Sequence, residues 1–120
     1  MDPEAFAKWL ASLPLSTRIS ALALIYSSLT IGSRELFSPE LAGKEPRVLD
    51  MLHGINEIHH TLSNALVAYA TSGKYPHSLD GLGRMLLENA EKYCIEGYLK
   101  SAVEFARARI PPSHEATKRP

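Results

Sequence analysis

A chain of 120 residues has room for one domain and not for two, and 45% hydrophobic against 22% charged residues excludes the low-hydrophobicity composition of a disordered protein. Thirteen basic residues balance thirteen acidic ones, so no global field gathers nucleic acid or an anionic membrane, and neither is expected as a partner. The single Cys94 cannot pair within the chain, and the start Met1-Asp2-Pro3-Glu4 lacks the basic region of a secretory signal, which together point to a reducing cytoplasm.

In chain order, Asp2, Pro3 and Glu4 read as an N-cap, a proline at the first helical position and an acid in the first turn. The short helix they open carries Phe6, Trp9, Leu10 and Leu13 on one face and is stopped by Pro14. Ser16 or Thr17 can cap a second helix reaching about residue 37, with Ile19, Leu22, Tyr26, Leu29, Ser33 and Leu36 on one face and Leu24 and Ile31 on the other. A helix apolar on nearly all sides is either central in a bundle or shared with a second subunit, and both readings are open here. Its most apolar run, residues 13–29, contains Pro14, Arg18 and several serines and is shorter than the ~20 apolar residues of a membrane span, so it reads as a core helix.

Ser38-Pro39-Glu40-Leu41 repeats the cap-then-proline signal for a single turn, and Pro46 then opens the longest helix, residues 47–72. Its apolar positions Val48, Leu52, Ile55, Leu62, Leu66 and Tyr69 recur at alternating spacings of three and four, skipping only position 59, a histidine. The opposite face carries Asp50, His53, Glu57, His60 and Asn64, while His59 lies inside the stripe with Asn56 and Ser63 at its flank. Gly73 suits the end of this helix and Ser78 the start of the next, whose stripe is Leu82, Leu86, Ala90 and Tyr93 and whose first turn Gly81 and Gly83 weaken. The pattern slips between Cys94 and Gly97, which predicts a break. A last helix carries Leu99, Ala102, Val103, Ala106 and Ile110 and ends at Pro111-Pro112. The prediction is all-α: an antiparallel bundle of four main helices plus a short N-terminal helix, one domain over residues 1–112, with 113–120 a disordered tail.

Spacings of four and three put His53, Glu57 and His60 on one helical face, within reach of a single ion. Glu57-x-x-His60 resembles the Glu-x-x-His element of di-iron bundles, which need a second such element; the nearest candidate, Glu88-Asn89-Ala90-Glu91, lacks the histidine. Helical projection places the three opposite the core stripe, facing water. Arg47-x5-His53 resembles the spacing in ribonucleases of the HEPN class, small all-α domains that usually dimerise. That resemblance implies a phosphate-stabilising Arg47 and a proton-moving His53, although here the pair opens the third main helix and in that class it belongs toward the end of the bundle. Cys94 has no marked histidine partner, and no phosphate loop, zinc-type cysteine pair or RNA-reading aromatic motif stands out.

With no catalytic constellation and no cofactor expected, the leading reading is a cytoplasmic helical module acting by association with another protein or, more simply, as a homodimer, through Phe6, Trp9, Leu24 and Ile31. The alternative is a metal- or ligand-binding or RNA-processing bundle using His53, Glu57, His59 and His60. Because His59 replaces an apolar residue in the stripe, His59→Leu should keep the fold, whereas His59→Asp should lose several kcal/mol of stability. Equal losses in chemical denaturation would place position 59 outside the core.

Overall fold

The computed structural model describes residues 1–110, which form six α-helices and one 3-10 helix with no strand among the described residues. In α1 (Pro3–Ala11) the Asp2 carboxylate accepts a hydrogen bond from the Glu4 amide at 3.0 Å, and Pro3 fills the first turn, where its missing N–H has no cost. The far end of α1 is closed by Arg18. Its guanidinium donates to the carbonyls of Leu10 at 2.9 Å, Ala11 at 3.3 Å and Leu13 at 3.1 Å, at and just beyond the helix end, where carbonyls run short of amide partners.

The second helix, α2 (Leu15–Gly32), starts and stops earlier than its sequence pattern predicts. Pro14 stands at its N-cap without a side-chain cap, and the Pro14 carbonyl accepts from the Arg18 amide at 2.8 Å, so Ser16 and Thr17 lie within the first turn. After Gly32 the chain tightens into a 3-10 helix, Arg34–Phe37, which still buries Leu36 and so preserves the apolar periodicity beyond the end of the α-helix. The single turn α3 (Pro39–Lys44) follows, then α4 (Val48–Ser72), α5 (Leu79–Lys92) and α6 (Glu96–Arg109). The four main helices and the short N-terminal one are thus present, with α3 as the additional turn. The 113–120 segment lies outside the described residues.

Within the chain α2 has several neighbours. It lies most extensively against α6 and next against α4, with a smaller contact to α1, and buries Ala21, Leu22, Ile25 and Leu29. An apolar circumference is what a helix with several neighbours requires. Complete burial of a leucine or isoleucine contributes about 1.5–3 kcal/mol each, and Leu22, Ile25, Leu29, Ile58, Leu62 and Leu99 are all fully enclosed. Arg18 near the start of α2 reaches the Tyr69 hydroxyl near the end of α4 at 3.5 Å, while Thr30 near the end of α2 meets His59 at 2.9 Å. That order is compatible with antiparallel packing of the two helices.

Two glycines mark close approaches. A Cβ at Gly83 would lie 3.1 Å from the Pro3 backbone, so α1 can rest its first turn on α5. A Cβ at Gly54 would fall 2.4 Å from the Cβ of Tyr93, which explains the lone glycine inside α4: the end of α5 sits directly on it. The expected break after α5 is a Schellman turn. Cys94 adopts φ +58, its amide donates to the Glu91 carbonyl at 3.3 Å, the Ile95 amide donates to the Ala90 carbonyl at 2.8 Å, and Ile95 is buried beyond the turn. Gly73, at φ +76, ends α4 with its amide on the Tyr69 carbonyl at 3.0 Å.

Arg18→Ala should lower the unfolding free energy by about 1.5–3 kcal/mol in urea denaturation, because a charged, planar donor serving several carbonyls is removed. Arg18→Lys should recover less than half of that loss, since one ammonium cannot reproduce the fork; full recovery by lysine would show that charge alone supplies the effect.

Candidate functional site

Where α2, the 3-10 helix and α4 meet, the surface opens into a cleft of about 270 Å3 lined by Thr30, Ser33, Phe37, Leu52, Ile55, Asn56 and His59. It exists because α2 stops at Gly32 and the chain turns away, leaving the α4 face 52-55-56-59 only partly covered at this end. His59 is half-buried and its ring stacks on Tyr26, with centroids 4.2 Å apart at 27°.

His59 faces two oxygens of α2, the Thr30 hydroxyl and the Tyr26 carbonyl. The Thr30 hydroxyl lies 3.0 Å from the Tyr26 carbonyl one turn earlier, a contact that hydroxyls within helices commonly make. The same hydroxyl oxygen is 2.9 Å from His59 Nε2, a hydrogen bond whose direction the ring tautomer sets. Burial pushes the His59 imidazole below its ordinary value, and the hydrogen bond to the Tyr26 carbonyl opposes that shift in part. The buried Ser33 hydroxyl donates to the Thr30 carbonyl at 3.2 Å.

The remaining polar candidates on α4 stay apart from this cleft. His53 Nε2 lies 3.6 Å from Glu57 Oε1, and its ring meets Tyr93 edge-on at 5.2 Å. His60 is exposed, and among the described residues no group of three His, Cys, Asp or Glu side chains is placed to hold a metal ion. Arg47 is engaged elsewhere. It binds Glu45 Oε1 through its backbone amide and its Nε, each at 3.1 Å, and its Nη1 lies 3.5 Å from Cys94 Sγ. The Arg47 hydrogen bonds hold the Glu45 carboxyl below its ordinary value, and Glu45 in turn raises Arg47.

The four apolar interface candidates are dispersed. Phe6, 1% exposed, belongs to the core, packed against Trp9 and the Gly83 region of α5, because the face it shares with Leu10 turns inward. Trp9 is partly buried beneath Arg107, whose guanidinium sits 5.2 Å from the indole centroid and donates to the Ala5 carbonyl at 3.2 Å. Leu24 is partly buried, whereas Ile31 is 64% exposed.

Sequence reasoning passed over Phe37, which is 70% exposed, and Leu49, which is 80% exposed and lies one turn before Leu52 on α4. Leu49 falls outside the three-and-four stripe, and that was the available signal. The 3-10 helix carrying Phe37 is held to α6 by the Tyr98 hydroxyl donating to Glu35 Oε1. Burial, with the Glu35 hydrogen bond and charge, pushes Tyr98 up to about 12. No family model, curated protein or solved structure matched this chain.

Since the folded protein favours neutral His59, the unfolded chain binds the proton more readily as pH falls below about 6.5. The contribution of His59 is fully present above that value and declines toward the lower folded-state value. Denaturation midpoints followed between pH 7.5 and 5 should show a smaller acid-induced loss in His59→Leu than in wild type; identical profiles would remove His59 as a source of the acid sensitivity.

Proposed function

We propose that this protein acts by association, as a homodimer in the cytoplasm, through the apolar surface around the end of α2, the 3-10 helix and the first turns of α4. One observation carries the reading: the three most exposed large hydrophobic side chains among the described residues, Ile31, Phe37 and Leu49, all belong to this end of the molecule. Phe37 and Leu52 line the same cleft, Leu49 is one turn from Leu52, and Ile31 follows Thr30. Singly exposed apolar groups need no explanation, whereas three toward one end of the molecule, with Phe37 lining an apolar cleft, support a surface that gains from being covered. A two-fold pairing would bring this patch against itself and bury Phe37 as an aromatic anchor. No helix among the described residues is long and apolar enough to cross a membrane, so a bilayer span does not account for the exposed apolar groups.

Sedimentation equilibrium from 1 to 100 μM, set as an experimental range for common dimer affinities, should show wild type approaching twice the chain mass. The Phe37→Ser/Leu49→Lys double variant should weaken dimerisation at least about tenfold, roughly 1.4 kcal/mol. A wild-type monomer throughout, or a variant that pairs as tightly as wild type, would overturn the reading.

A further inference from the structure

We infer that Tyr98 is the positioning residue for Phe37: its hydroxyl, bound to Glu35, fixes the 3-10 helix so that the exposed ring is held ready for a second copy of the chain. The inference rests on the association reading and adds what prepares its surface.

The 3-10 helix is four residues long and has one inward anchor, the buried Leu36, beside the exposed Phe37. A short helix held at a single apolar point can turn about it, because burial has no direction, and Phe37 would turn with it. A second attachment stops that rotation. Among the described residues, the side-chain hydrogen bonds that leave segment 34–47 join Arg47 to Cys94 and Glu35 to Tyr98. The first lies at the far end of the segment, beside α4, so the second is the tie that acts on the 3-10 helix itself.

Tyr98 is suited to that role by its place in α6. It stands between Ile95 and Leu99, both enclosed in the core, and its own ring is partly buried against that core. A tyrosine has only two rotatable side-chain bonds, so an anchored backbone and a packed ring leave the hydroxyl little freedom. The Cα atoms of the 3-10 helix and of α6 stay more than 8 Å apart, and the Tyr98–Glu35 bond spans the gap that backbone packing leaves. With its phenol pushed up to about 12 by burial and by Glu35, Tyr98 keeps its proton through the neutral range and stays a donor. A hydrogen bond to a carboxylate is charge-assisted and stronger than one between neutral groups. Holding Phe37 before the partner arrives lowers the ordering cost of association.

Tyr98→Phe removes the hydroxyl and keeps the ring. The amides of Leu36 and Ser38 bond to the Ser33 and Glu35 carbonyls, each at 3.0 Å, so their hydrogen exchange reports opening of the 3-10 helix. Followed by NMR in the full chain, and again with Leu49→Lys added to weaken pairing, that exchange should quicken about 3- to 10-fold, the worth of one hydrogen bond. The Ile95 and Leu99 amides should stay within about twofold, which separates a local tie from a general loss of stability. In sedimentation equilibrium Tyr98→Phe should weaken pairing about 3- to 10-fold, and Tyr98→Phe/Glu35→Gln should weaken it no further, because both changes cut one bond. Unchanged exchange at Leu36 and Ser38, an equal rise at Ile95 and Leu99, full additivity of the two changes, or pairing as tight as wild type would overturn the proposal. A wild type that never pairs would overturn the association reading instead, and exchange at Leu36 and Ser38 would then decide the Tyr98 tie by itself.

Discussion

The register of α2 against α4 is the constraint on which the rest of the molecule depends. Hydrophobic attraction has no direction, so burial alone specifies the register of an apolar helix less sharply than hydrogen bonds do. Two polar ties sharpen it. At one end Arg18 reaches the Tyr69 hydroxyl and lies 5.6 Å from its ring centroid; at the other, Thr30 meets His59 over the stacked Tyr26 ring. A slip by one residue would detach the Arg18 fork from the end of α1 and separate Thr30 from His59. Directional groups set the register, while burial of Leu22, Ile25 and Leu29 supplies most of the attraction.

The second half of the bundle is mounted on close approaches. Tyr93 rests on the bare backbone of Gly54, and the Cys94 turn then reverses the chain so that Ile95 drops into the core and α6 can run along α2. A non-glycine residue in the left-handed region costs about 1–2 kcal/mol, a strain offset here by the two turn hydrogen bonds and the burial of Ile95. The same side of the molecule holds the 3-10 helix through Tyr98 and Glu35, so α6 supports both α2 and the segment bearing Phe37. The cleft is thus a consequence of the scaffold, the space left where α2 ends and the tethered 3-10 helix turns aside.

Much of this was legible in the residues. The Asp2 and Ser78 caps, the glycine end at Gly73, the break near Cys94 and the long α4 stripe follow from local chemistry and are all present in the fold. The end of α2 was not legible, because a 3-10 helix preserves the inward position of Leu36 and so continues the apolar pattern past the last α-helical turn. Phe6 and Trp9 looked alike on a helical projection. Only the packing of α1 on α5, which depends on Gly83, distinguishes an enclosed Phe6 from a partly covered Trp9. His59 declared itself by interrupting an apolar stripe, yet its partner Thr30 lies 29 positions away on another helix and could not be read from spacing.

The most direct measurement of the α2–α4 tie is the ring 15N spectrum of His59 in the free protein near pH 7.5. One tautomer, held and not averaged, is what a fixed hydrogen bond between Thr30 and His59 requires, whichever of the two donates. Rapid averaging between the two tautomers would mean that this contact is not held and that the register of the two helices rests on apolar packing and Arg18 alone.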